Sequence, residues 1–445
     1  MYKFPKGLYA DVRIEERYNL WFNVWNDDVQ GDGFMEEEGA IIRVYDGKMW
    51  YTSTTNNLEE IQMELDNLAT LATPNPDIEN DPVVKKFQVH KDEVLHFAGE
   101  KNVKNVTRDE WKALVDYYID KCIDKSIPEI NSWGVFTSCN YLKKNFYSSK
   151  GAEIVQDMQN CWVGVNYNIT VDGVTTNGGK FYSKFYKADL EGHEEEVLKE
   201  RDRYLDFARN AVQAEPGEYT CILAPVTTAM FAHESFGHKS EADFMLNDKT
   251  LQDEWVMGKK VGSDLVSICD RGDWINHGYA PYDDEGTKAT TCWLMKEGVL
   301  TGRLHDANSA TVLGEELTGN ARAQSYQFAP MVRMTNTFIE KGQDDPQKMI
   351  EEVKDGIYIY SVEYGTGQAT FTMKPAISYR IRDGKLCEPL RINVLTGSVF
   401  ETLFDIDAVG TDFELFDSFS CGKNGQGMDV SAGGPSIRVK KLTVN

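Results

Sequence analysis

Six residues, His233-Glu234-Ser235-Phe236-Gly237-His238, constrain this chain more than any other stretch. They set two imidazoles around a carboxylate. Two neutral His nitrogens suit a zinc ion, and a neighbouring Glu that is not a ligand can take a proton from metal-bound water. The spacing is H-E-x-x-x-H, one residue longer than the H-E-x-x-H pattern that puts both His on one helical face. At 3.6 residues per turn, positions four apart sit ~40° from each other around a helix, and positions five apart ~140°. A regular helix would therefore aim the two rings apart. Two local structures bring them together: a π-type i→i+5 turn, or a helix that Gly237 ends so that His238 swings back. Without either, the pair reads as two core histidines at a helix end.

A catalytic tetrahedral site needs a third protein ligand and a fourth position for water. Glu241 and Asp243 are close in sequence. Cys421 is distant, within Ser420-Cys421-Gly422-Lys423-Asn424-Gly425-Gln426-Gly427. A thiolate is a good zinc ligand, and a Gly-rich backbone can approach a metal closely. Spacing leaves all three open, and on composition alone Cys421 reads as a loop thiol without a role. The eight cysteines are scattered and form no C-x-x-C pair, which suits small buried residues and not a disulfide framework.

Composition narrows the function classes. With 445 residues the chain can fill two or three domains and a large core. Its 47 basic and 71 acidic residues give a net charge of −24. That balance disfavours a phosphate backbone and anionic membranes, so neither nucleic acid nor a membrane is an expected partner. No apolar run is long enough to span a bilayer. The start, Met1 to Lys6, leads into polar, strand-like sequence with no apolar signal core, which points to the cytoplasm.

The pattern along the chain predicts an α+β protein. Ala10, Val12 and Ile14 alternate, and Leu20, Phe22 and Val24 predict a second strand. Asp46-Gly47 between two apolar runs predicts a type I′ hairpin. Leu58, Ile61, Leu65, Leu68 and Ala72 predict a helix that Asn57 and Glu60 begin. Pro-rich breaks at 73–82 predict a linker and a possible sub-boundary. Thr107 and Glu110 make a capping box for a second helix, whose stripe of Trp111, Leu114, Val115, Tyr118 and Cys122 is read as core packing. Strands resume near Trp133, with turns expected at Asp172-Gly173 and Asn177-Gly178-Gly179. A charged helix is expected from about Glu194 to Ala214, stopped by Pro216-Gly217. The main boundary is placed there: a mixed N-terminal region, 1–215, and a C-terminal domain, 216–445. Short apolar runs between turns, Asp383-Gly384 among them, predict mostly antiparallel sheet in that domain, carrying a short metal-binding helix.

Five motifs then occur in order. They are His233 to Phe244 (HESFGHKSEADF), Asp283-Asp284-Glu285-Gly286, Gly319-Asn320-Ala321-Arg322, Arg333-Met334-Thr335-Asn336-Thr337, and Cys421-Gly422-Lys423-Asn424-Gly425-Gln426. Together they resemble the TldD/PmbA family of metallopeptidases, chiefly over Tyr219 to Val444. The intact H-E-x-x-x-H and the late Cys resemble the TldD-type subunit, whereas PmbA-type subunits lack the metal ligands. The resemblance implies that His233, His238 and Cys421 bind Zn2+ and that Glu234 is the general base. It implies hydrolysis of unfolded or partly degraded peptides, and a homodimer or a heterodimer with a related family subunit. The chain departs from the usual family pattern at Lys239 and Ala242, in a shorter stretch near Gly365-Thr366-Gly367-Gln368, and at Leu442-Thr443-Val444-Asn445. None of these removes a proposed ligand.

No oxyanion helper stands out. His277, His305, Arg322 and Arg333 are candidates, each more often a solvated or structurally paired residue. Asp283, Asp284 and Glu285 read as a solvated turn in preference to a cation site. Two rival functions are weighed. One is a dipeptidyl peptidase that shares the H-E-x-x-G-H spelling, whose E-E-C-R-A-type second motif does not occur here. The other is a non-catalytic scaffold subunit with a structural or unused metal site, which would have no need of Glu234.

Overall fold

The computed structural model describes residues 2–367 and 369–445. The readings that touch Met1 and Gln368 lie outside the described residues. The chain is a mixed α+β fold. A seven-stranded sheet occupies the N-terminal part, in the order Trp50–Thr55, Asp28–Tyr45, Tyr9–Trp25, Ile130–Ser148, Glu153–Val171, Lys91–Val94, with Val174–Lys184 also paired to Glu153–Val171.

Tyr9–Trp25 is one long strand where two were expected. Its alternation never loses phase. Ala10 and Val12 enter a core closed by the helix Ile61–Leu71. Leu20, Phe22 and Val24 enter a second core with Trp111, Leu114, Val115 and Tyr118 of the helix Arg108–Cys122. The polar middle does not break the strand because Glu15 is buried between Arg13, 3.0 Å away, and Arg17, 2.7 Å away. The capping box of Thr107 and Glu110 is present in both directions.

The turns follow local chemistry. Asp172-Gly173 and Asp383-Gly384 each join two strands with both residues at positive φ, as a type I′ turn requires. Asp46-Gly47 does not. Only Gly47 has positive φ, and four residues separate Tyr45 from Trp50. The Asp46 carboxylate accepts from the backbone N–H of Lys48 and of Met49, at 2.9 Å each, and so organises a longer turn. Asn177-Gly178-Gly179 is no turn either, since it lies inside Val174–Lys184. A Cβ on Gly178 would fall 2.3 Å from the Tyr204 ring, so the glycine serves close packing against the helix Glu194–Asn210. That helix stops before the expected Ala214, and Val212–Gln213 instead pairs with Lys385–Arg391.

In the C-terminal part, Asp355–Gly367, Gly217–Leu223, Ile437–Val444, Leu395–Ser398 and Thr370–Arg382 pair in succession. The first and last of these also pair, so the eight-stranded sheet closes on itself. A six-stranded sheet ends in the hairpin Glu414–Lys423 and Gln426–Gly434. Most pairings are antiparallel, with parallel exceptions such as Asn336–Ile339 against Gln426–Gly434. A short helix, Pro225–Phe231, belongs to the core that joins these sheets. Phe231 and Phe236 are fully buried. Burial of each contributes roughly 1.5–3 kcal/mol, enough to hold so short a helix that would not persist alone.

Asp283, Asp284 and Glu285 are buried, not solvated. Asp284 lies 2.6 Å from Lys144 and 3.5 Å from Arg13, and Glu285 lies 3.4 Å from Arg43. Asp283 accepts from the backbone N–H groups of Glu285, Thr287 and Ala321. Lys144, Arg13 and Arg43 all come from the N-terminal sheet, so the triplet joins the sheet to the C-terminal part. Among the described residues, no helix is long and apolar enough to cross a membrane.

Candidate metal centre

The helix carrying the motif begins at Pro225, whose missing N–H costs nothing at a first turn. It does not stay regular. Ala232–Gly237 is wound as a π turn, and the His238 N–H donates to the His233 carbonyl, an i→i+5 bond. That bond stacks residues five apart, which a regular helix would separate. The two imidazole centroids lie 5.1 Å apart, with planes inclined at 78°. Gly237 does not end the helix, since its φ of −58° and ψ of −56° are helical. A Cβ there would fall 2.1 Å from Met334 Sδ, so the glycine admits a packed side chain under the turn.

Cys421 arrives from the other side. It is a strand residue, opposite Met428 in the Glu414–Lys423 hairpin, and not a loop thiol. Asn424 and Gly425, at φ 49° and 78°, close that hairpin as a two-residue turn. The Asn-Gly pair is a sequence signal for such a turn, which a reading of the segment as Gly-rich loop does not use. Arg333 is fully buried. It donates through Nη1 to the Gln426 carbonyl at 3.2 Å and through Nη2 to the Cys421 carbonyl, clasping both arms.

One ligand atom each from His233, His238 and Cys421 lie within 4.8 Å of one another. His238 Nε2 is 3.4 Å from Cys421 Sγ. Zinc bonds of about 2.0 Å to nitrogen and 2.3 Å to sulfur in a tetrahedron require a nitrogen–sulfur separation of about 3.5 Å. The donor set, two imidazoles and a thiol, suits zinc in kind, and the His238–Cys421 separation suits it in spacing. Glu234 is not part of this set. Its Oε2 lies 4.0 Å from His238 Nε2, at the rim, with its side chain about one-fifth exposed.

The electrostatics divide the groups. Burial, with help from neighbouring His238 and Arg333, lowers the His233 pKa to about 3, so this ring is neutral at physiological pH. Burial opposes charge on His238 too, but hydrogen bonds to Cys421 and Glu241 outweigh it and raise its pKa to about 10. The position between Nε2 and Sγ therefore favours positive charge, a demand that a metal cation also meets. Burial raises the Glu234 pKa; His238 opposes the shift and Glu241 adds to it.

The other candidates each have protein partners. Glu241 binds the far nitrogen of His238, Nδ1, at 3.0 Å. Asp243 is held by Lys423 at 2.8 Å. His305 is buried between Ser309 and Glu315. Arg322 donates to the carbonyls of Met334 and Asp429. His277 binds Asn160 and Asp429. Asp429 is opposite Ser420, so by strand alternation it faces away from Cys421, into a cavity of about 360 Å³ between the hairpin and the N-terminal sheet.

A short helix widened by one π turn brings together an N,N,S donor set that could hold a metal ion, with a carboxylate beside it. Residues 216–445 match the PmbA/TldA metallopeptidase C-terminal domain, and residues 10–72 match PmbA/TldA metallopeptidase domain 1. The chain belongs to the TldD/PmbA family of metallopeptidases. It is 31% identical to "Metalloprotease MJ0996" of Methanocaldococcus jannaschii, covering 97% of this chain and 96% of that protein. It is 28% identical to the "Zinc metalloprotease TldD homolog" of Saccharolobus solfataricus, covering 100% and 99%. The solved structure of TldE from Thermococcus kodakarensis shares the fold, with a TM-score of 0.76 at 15% identity over 98% of this chain and 96% of that one.

Proposed function

We propose that this chain is a TldD-type, zinc-dependent peptidase in which His233, His238 and Cys421 hold the metal and Glu234 is the general base. The observation that carries this reading is the π turn, which turns an unfavourable i,i+5 spacing into a convergence with Cys421. Zinc, when bound, supplies Lewis acidity toward a carbonyl oxygen and lowers the pKa of water. Glu234 sits at the rim, where it can take a proton from water and return it to the leaving amine. Its raised pKa brings acceptor and donor roles closer to neutral pH.

The surroundings favour an extended peptide as substrate. Asp355–Gly367 pairs with Gly217–Leu223 only as far as Ile359. Beyond it, one edge of residues 361–367 has no strand partner among the described residues. A Cβ built on Gly365 would lie 3.2 Å from Glu234 Cγ, and one on Gly367 2.8 Å from the Glu234 carbonyl oxygen, so a face of this strand packs against the turn that carries the base. A peptide that adds as a strand there presents its backbone regardless of side chains, which suits unfolded or trimmed chains. A second copy or a related subunit is the expected partner.

Metal analysis of wild type and Cys421→Ser, with cleavage of an unfolded peptide by both, tests the reading. One zinc per wild-type chain and its loss in Cys421→Ser are expected. Zinc held at wild-type affinity by Cys421→Ser removes the third ligand. Metal bound without cleavage, even with a related partner subunit present, favours a scaffold role.

A further inference from the structure

Each element that brings a ligand to the centre also brings one member of a buried ion pair. Glu241 follows His238 by three residues, and Lys423 follows Cys421 by two. The Glu241 side chain is wholly buried and the Lys423 side chain is 3% exposed, with Nζ 3.3 Å from Glu241 Oε2. Lys423 also donates to both Asp243 oxygens and to the Val332 carbonyl. The same Glu241 oxygen faces His238 Nδ1 at 3.0 Å. Buried charges are costly to desolvate, and an apolar pair of similar volume would hold the hairpin as well.

We propose that Glu241, held by Lys423, is the positioning residue of the metal centre: it fixes the tautomer and plane of His238 and ties the helix ligand to the hairpin ligand. An imidazole carries its proton on either nitrogen, and the partner of one nitrogen decides the state of the other. A carboxylate at Nδ1 keeps a proton there, so Nε2, 3.4 Å from Cys421 Sγ, is the nitrogen left to exchange its proton for a metal. Glu241 is itself oriented by Lys423, a cation on the strand that carries Cys421. Movement of the hairpin therefore disturbs His238 and Cys421 together. Asp243 keeps Lys423 from swinging to solvent. None of these three residues is within the ligand set.

The inference rests on the metal reading above. Full-length wild type, Glu241→Ala and Glu241→Gln are compared for zinc affinity by chelator competition and for the visible spectrum of the Co(II)-substituted protein. Outer-shell partners of ligating His typically account for about 10–100-fold in metal affinity. Glu241→Ala is expected to lose that much and to shift the cobalt bands. Glu241→Gln keeps an acceptor for Nδ1–H and is expected to recover most of the loss, remaining about 3–10-fold weaker because an amide accepts less strongly than a carboxylate. Folded Glu241→Ala with wild-type affinity and spectrum overturns the proposal. Should Glu241→Ala fail to fold, Glu241→Gln decides: affinity and spectrum identical to wild type overturn it. A wild-type protein that binds no zinc sinks the metal reading itself, whereas tight wild-type binding with indifferent variants sinks the positioning role alone.

Discussion

Two of the buried charge clusters among the described residues differ in how their groups are engaged. The Asp283-Asp284-Glu285 triplet meets Arg13, Lys144, Arg43 and several backbone N–H groups. Its oxygens are engaged in joining the N-terminal sheet to the C-terminal part. In the second cluster, Lys423 binds Asp243 and one oxygen of Glu241, and the same oxygen faces Nδ1 of His238. Beside it His238 Nε2, Cys421 Sγ and a His233 nitrogen come together. Burial of charge alone does not mark a candidate metal site; donor atoms grouped closely enough to share an ion do.

Breaking each cluster should separate chemistry from stability. The largest effect is expected at Glu234→Gln, with kcat down about 10²–10⁴-fold and zinc content and melting temperature unchanged. Zinc analysis, thermal melts and a cleavage assay check it, and full activity in the variant would defeat the proposed mechanism. Next comes Asp284→Asn. Burial raises the Asp284 pKa, but Arg13 and Lys144 outweigh it and hold the group down to about 2, so the native carboxylate is ionised. Neutralising it leaves two buried cations poorly matched and should cost about 3–5 kcal/mol in urea unfolding. Zinc affinity of the folded fraction should not change, and loss of affinity would show that the two clusters are not independent.

Gly237→Ala should cost about 1–3 kcal/mol as overpacking against Met334. Because the strain falls on the π turn, it should also weaken zinc binding. Destabilisation with unaltered zinc affinity would mean that Met334 yields and the turn does not. The smallest effect concerns pH. Burial raises the Glu285 pKa from 4.5 to about 7, with Arg43 opposing. The folded state therefore holds this proton more tightly than the unfolded chain. That contribution is full below pH 4.5 and is lost as pH rises through about 7. Glu285→Gln keeps a neutral group at every pH, so its stability should fall less than wild type's between pH 5 and pH 8, by on the order of 1 kcal/mol. Parallel curves for the two proteins would contradict this.

The mixed α+β class was legible because periodicity reports on local structure. The stripe from Trp111 to Cys122 and its capping box sit where the spacing put them. The failures were of long range. Ile14 and Leu20 fall in separate expected strands, and nothing local announces the strands Asp28–Tyr45 and Ile130–Ser148 that pair on both sides of the polar stretch between them. Three adjacent acids looked solvated because their cations lie more than 130 residues away in sequence. At the metal centre, the odd spacing of His233 and His238 left two geometries open, and packing around Met334 accompanies the π turn rather than the helix stop. Glu241 was read as a candidate ligand. Its role at Nδ1 becomes visible only when the direction of the His238 ring is known.

X-ray absorption at the zinc edge of the loaded wild-type protein tests the central claim most directly. The π turn and the hairpin predict one sulfur scatterer at about 2.3 Å and two imidazole nitrogens at about 2.0–2.1 Å, with the sulfur lost in Cys421→Ser. A zinc shell of nitrogen and oxygen alone in wild type, or a sulfur that persists in Cys421→Ser, would contradict it.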